Sequence, residues 1–325
     1  MTDSSMNSVP DSILDDHPVD AGLRAELARG DMALSTLTPV LTHFLSTHDR
    51  SLFSDSIIAR VRGMMRSAAY RLLRVEAEEI GANDVFGYAE NRADALAEDL
   101  ATHAAFLSHC HALSIEWQLA DRLRGRNGID PVLSPLLQSL IASGDGDLSD
   151  AAMATLAAQA RFIEQQKRME MPLAELPEDQ FAHLIGVWRR QREDVSDDLA
   201  STVESRIRQM RSENEARLSL LDRTFQGLGA RSDVALSLTH AGAAMFLTAL
   251  GHRAGQERDI AVVSTNDRQL VRFALSLRAA GLSPAEARAQ LRCLHPDATL
   301  PAAVDQLTTH DARALLSSSP FGHVE

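Results

Sequence analysis

Residues 195–228 constrain the fold more than any other stretch, because they carry the longest uninterrupted apolar periodicity in the chain. Leu199, Val203, Ile207, Met210, Leu218, Leu221, Phe225 and Leu228 follow one another in helical steps, with Asn214 the single polar residue on the stripe. At about 100° per residue they share one helix face, a fan roughly 100° wide. The helix would be about 50 Å long at about 1.5 Å per residue, a spine able to cross a domain. Its mean step is about 3.6 residues rather than the roughly 3.5 of a left-handed coiled coil, so it is expected to pack within its own domain. Asn214, on a buried stripe, would need hydrogen-bond partners and is the candidate polar position of the core.

Composition extends the helical reading to the whole chain. Hydrophobic residues make up 45% and aromatics only 4%, so the core must be built from Ala, Leu, Val, Ile and Met. Ala and Leu favour helix. A net charge of -13 argues against broad, sequence-independent nucleic-acid binding, which needs a cationic footprint. Cys110 and Cys293 lie far apart, make neither a disulfide framework nor a zinc site, and suit a reducing compartment. The start of the chain lacks a cationic segment followed by an apolar run. The most apolar stretch, 234–250, is interrupted by Ser237, Thr239, His240 and Thr248 and falls short of a membrane span. A cytoplasmic chain without membrane contact is expected.

Residues 1–18 read as a disordered acidic tail. Helical patterns follow at 21–29 and 32–47, the second kinked or restarted by Pro39, then at 56–80, 92–122, 131–143, 149–169 and 178–191. Gly144-Asp145-Gly146 and the loop from Pro172 to Pro177 are the clearest breakers. Beyond the spine, 234–251 is apolar nearly all round. A helical pair occupies 268–294, with Ser283, Pro284 and Glu286 forming a capping box, and a weaker helix spans 302–316. No segment reads as a strand; the β-branched run 260–263 is too short and isolated. The division expected is a tail (1–18), an N-terminal helical layer (19–194), the spine (195–228) and a C-terminal helical subdomain (229–325). The fold class is all-α, an irregular multi-helix array around one long central helix, similar to a helical-repeat protein but without a fixed period.

Chemistry is harder to find. His103, His109, Cys110 and His111 are the densest set of metal-ligand types, but helical ligands share a metal at i, i+3 or i+4, and these do not. They read as core residues, and no metal or other cofactor is expected. Glu193, Asp194, Asp197 and Asp198 lie where the spine starts, where a helix dipole favours acids; a second facing cluster, needed for Mg²⁺, is missing. Trp188, Arg189, Arg190 and Arg192 could form a basic patch, although cations are common at a helix C-terminus. No glycine-rich phosphate loop, nucleophile elbow or Cys-x-x-Cys occurs, so no catalytic residue is assigned. The pair at 268–294 has the form of a helix-turn-helix that would offer Arg288, Gln290 and Arg292 to a major groove.

The runs Ser134-Pro-Leu-Leu-Gln-Ser-Leu-Ile and Ala157-Ala-Gln-Ala-Arg-Phe-Ile, the Pro172 to Pro177 loop and Arg278-Ala-Ala-Gly-Leu-Ser resemble an uncharacterised all-helical family from alphaproteobacteria. The resemblance implies a helical fold and carries no activity or site residues. The function expected is a non-enzymatic scaffold or adaptor that binds a protein partner. A DNA-binding regulator acting through 268–294 is second, and an enzyme with an unfamiliar helical active site third.

Overall fold

Apolar residues at helical spacing fold as helices throughout, and no strand occurs among the described residues of this computed structural model, which are 18–46, 55–192, 196–212 and 215–322. The helices are α1 (Pro18–Ser46), α2 (Asp55–Glu79), α3 (Val85–Leu100), α4 (Ala104–Asn127), α5 (Pro135–Ile141), α6 (Gly146–Lys167), α7 (Glu178–Gln191) and α8 (Asp197–Ser212). They continue as α9 (Arg217–Gly227), α10 (Leu238–Ala254), α11 (Arg258–Ser264), α12 (Leu270–Ala279), α13 (Pro284–Leu294), α14 (Ala303–Gln306) and α15 (Thr309–Ser317). The all-α expectation holds. The expected tail falls on residues outside those described, apart from Pro18, which opens α1.

The expected spine is two helices. α8 is described to Ser212, and Ala216 precedes α9 with extended backbone, φ -63° and ψ 146°. The halves serve different cores. Val203 and Ile207 belong to the core around α2 and α3, with α8 packed on α2, whereas Leu221 and Phe225 belong to the core around α10, with α9 packed on α6 and α10. The break also frees the Arg217 amide to donate to Glu175 Oε2 at 2.8 Å and admits the Arg217 side chain to the interior. Met210, assigned to the buried stripe, is 43% exposed. Asn214 lies outside the described residues.

The element that organises the molecule is α4. Phe106, Leu107, Cys110 and Leu113 face a core shared with α1, α2, α3, α7 and α8. Ile115, Leu119 and Leu123 face a second core shared with α5, α9, α10, α11, α12 and α13. A third, smaller core joins Leu23 and Leu27 of α1 to α12, α14 and α15. The cores therefore run across the boundaries drawn at 194 and 228: α1 reaches the C-terminal helices and α4 meets α10 and α11.

Other departures have local causes. The pattern 92–122 breaks at residues 101–103 into α3 and α4. The segments 21–29 and 32–47 join into α1 through Gly30, which lets α1 approach the 3-10 turn Asp267–Gln269: Gln269 Nε2 donates to the Gly30 carbonyl at 2.8 Å. A Cβ at position 30 would stand 2.7 Å from Gln269 Oε1, so only glycine fits without displacement. Pro39 sits exposed inside α1, where the carbonyl it leaves unbonded can reach water. The pattern 234–251 begins as a 3-10 segment, Gly229–Leu236, and α10 starts only at Leu238, with Val234 41% exposed. The pattern 302–316 splits into α14 and α15, the latter opened by a Thr308–Asp311 capping box.

No single helix among the described residues is long and apolar enough to cross a membrane. The segment Gly229–Leu236 with α10 reaches the length and composition only as a pair bent by 113°.

Candidate functional site

Burying α4 on both sides places its polar residues between two cores, where each must find a partner or cost free energy. Glu116, 1% exposed, faces two guanidiniums that arrive from the first residues of α9 and α11. Arg217 donates to its two oxygens at 2.8 and 2.9 Å, and Arg258 at 2.7 and 2.9 Å. Both contacts are bidentate, the strongest geometry a carboxylate–arginine pair adopts. Arg217 also donates to Gln159 Oε1 at 3.1 Å and stacks 3.7 Å over the Phe162 ring. Arg258 Nε donates to Thr248 Oγ1 at 3.0 Å. Burial opposes the Glu116 charge, yet the two arginines hold its carboxyl well below the usual carboxylate range. The cluster carries one net positive charge and joins three helices.

Next to it, His109 Nδ1 lies 2.8 Å from Asp259 Oδ2, the residue after Arg258. Burial lowers the His111 imidazole to about 4, with Asp259 opposing the change, and burial likewise pushes the Cys110 thiol up. A buried, protonated thiol is a poor nucleophile. His103 is not on this helix face at all. It is the N-cap of α4, its Nδ1 accepting from the Phe106 amide at 3.2 Å, and its ring stacks on His183 at 3.4 Å. His103 thus stands apart from His109, Cys110 and His111, and no group of three or more His, Cys, Asp or Glu side chains that could hold a metal ion occurs among the described residues.

A second buried carboxylate, Glu76 of α2, accepts from Trp188 Nε1 at 2.9 Å, Tyr88 Oη at 2.9 Å and Arg192 Nε at 2.7 Å. This accounts for much of the expected basic patch. Trp188 is buried, Arg192 covers Glu76, and Arg189 pairs with Glu204 at 2.7 Å. Of the acidic run before α8, Asp197 and Asp198 are exposed in its first turn, behind Ser196, whose Oγ accepts from the Leu199 amide at 3.4 Å. Glu193 and Asp194 are outside the described residues.

The helix pair α12–α13 forms with the expected Ser283–Glu286 capping box. The three residues assigned to DNA are differently engaged. Arg288 is ion-paired with Asp305 of α14, and Gln290 Oε1 accepts from the Leu238 amide at 2.9 Å, capping the start of α10. Arg292 is exposed. Helix α12 is buried along its length, so the pair is bound into the core.

The polar centres were missed in sequence because each member looks ordinary alone. One signal was present: Glu116 stands between Ile115 and Trp117 in a helix with no continuous polar face. An open concavity lies elsewhere, a cleft of about 510 Å³ between α1, α2 and α3. Leu45, Met65, Ala97 and Ala101 line its floor, with Arg66 and Glu98 at the rim. No family model, curated protein or solved structure matches the chain.

Proposed function

We propose that the protein is a non-enzymatic helical scaffold that binds a protein partner in the cleft between α1, α2 and α3. The cleft itself supports the reading: an apolar floor with charged residues of both signs at the rim suits the apolar face of an amphipathic helix. By contrast, His109, Cys110, His111 and Glu116 are all buried and none of them lines the cleft. The free thiols of Cys110 and Cys293 fit a reducing, cytoplasmic setting. Membership of the all-helical alphaproteobacterial family belongs to the same proposal. It is supported by the quoted segments, which fall on α5, α6, the Pro172 to Pro177 loop and the α12–α13 turn. DNA binding is not advanced, because Arg288 and Gln290 already hold α14 and α10 in place.

Affinity purification of the full chain from native lysate, run beside Glu98→Trp, tests the reading. Glu98 is exposed at the rim, so a tryptophan there covers the cleft without entering the core. A partner recovered with the unsubstituted chain and lost with Glu98→Trp, at unchanged melting temperature, is the expected result. Equal recovery with both, no partner with either, or a small molecule released in stoichiometric amount on denaturation would overturn it.

A further inference from the structure

A cavity of about 10 Å³ lies between α4, α6 and the loop that follows α6, lined among others by His109, Gln166, Met171 and Arg217. That volume is at the lower limit for one water molecule. Two buried acceptors belong to its lining. In the neutral imidazole, the Asp259 carboxylate 2.8 Å from His109 Nδ1 favours the proton on that nitrogen, which makes Nε2 the acceptor. His109 Nε2 is buried and takes no hydrogen bond from the protein. Gln166 directs its amide nitrogen to Met64 Sδ at 3.2 Å and to the Glu170 carbonyl at 3.5 Å. Its Oε1 is then also a buried acceptor without a protein donor. Both side chains are almost wholly buried.

Two side chains that line one small cavity each carry a buried acceptor without a protein donor, and a ligand with two donors would satisfy both. An unprotonated anion offers none, and a metal ion would share the lining with the cationic Arg217. The other charged groups there are already engaged: Glu170 with Arg71 at 2.8 Å, and Glu175 with the Arg217 amide at 2.8 Å. We propose that the cavity is a binding site for one ordered water, which donates one O–H to His109 Nε2 and the other to Gln166 Oε1. The water extends the Asp259–His109 pair across to α6, so that α11, α4 and α6 are joined by one hydrogen-bonded chain at the seam between the two large cores.

Diffraction from crystals of the full chain to about 1.5 Å tests this without altering the protein. The expected result is a solvent peak roughly 2.6–3.2 Å from both His109 Nε2 and Gln166 Oε1. A Gln166 amide turned to donate directly to His109, or a collapsed cavity without a peak, would overturn the proposal. Nitrogen-15 NMR supplies a second reading in solution. His109 should carry its proton on Nδ1, and a proton found on Nε2 would make that atom a donor and remove the site.

Discussion

Glu116 is held by four charge-assisted hydrogen bonds from Arg217 and Arg258, and its role follows from what would remain without it. Glu116→Gln leaves two buried guanidiniums facing a neutral amide, and loss of one member of a buried ion pair costs about 3–5 kcal/mol. Urea denaturation should show a loss of that order; a change under about 1 kcal/mol, the size of an exposed pair, would contradict the cluster's burial. His111 makes a separate prediction. Its folded value, lowered to about 4 from 6.5 by burial, means that the unfolded chain takes up the proton first as pH falls. The neutral His111 therefore contributes its full stability above about pH 6.5 and loses it between about 6.5 and 4, on the order of 3 kcal/mol in all. The unsubstituted chain should lose that much more than His111→Leu across this interval; parallel curves would show that His111 does not titrate this way. At this scale the sequence was least legible. A lone glutamate or arginine on a helix carries no mark of its partner more than a hundred residues away, and only the mismatch of Glu116 with its apolar neighbours hinted at it.

At the scale of elements, the helices were legible wherever period, cap and breaker agreed, as in the Ser283–Glu286 capping box. Legibility failed at junctions. The stripe from Leu199 to Leu228 keeps its phase across the α8–α9 break, so periodicity reads one helix where the halves face two different cores. The α3–α4 corner at 101–103 was concealed in the same way, and Gly30 misled in the opposite sense, marking a close approach to Gln269 rather than an end. The break offers a test by sign. Ala216 is an N-cap whose side chain makes no capping hydrogen bond. Ala216→Ser should stabilise the protein by about 1 kcal/mol by accepting from the first turn of α9. In a continuous helix the same change would destabilise, because alanine is the better helix former. A raised denaturation midpoint supports the break, and a lowered one contradicts it.

For the molecule as a whole, the small aromatic share and the Ala- and Leu-rich cores make an all-α fold, and composition alone was enough to indicate that. Composition gave no sign that α4 would form the wall between two cores, or that a third core would tie α1 to the C-terminal helices. The candidate cleft was equally hidden, since its floor draws Leu45, Met65 and Ala97 from three separate helices. Buried polar clusters lie between these cores, and the recognition site proposed is that cleft. Photo-cross-linking in cells tests it most directly, with a benzoyl-phenylalanine placed at Glu98 on the rim and, as a control, at Arg161 on the exposed side of α6. The expected result is a discrete protein adduct from position 98 and none from position 161. No adduct from position 98, or the same adducts from both, would contradict it.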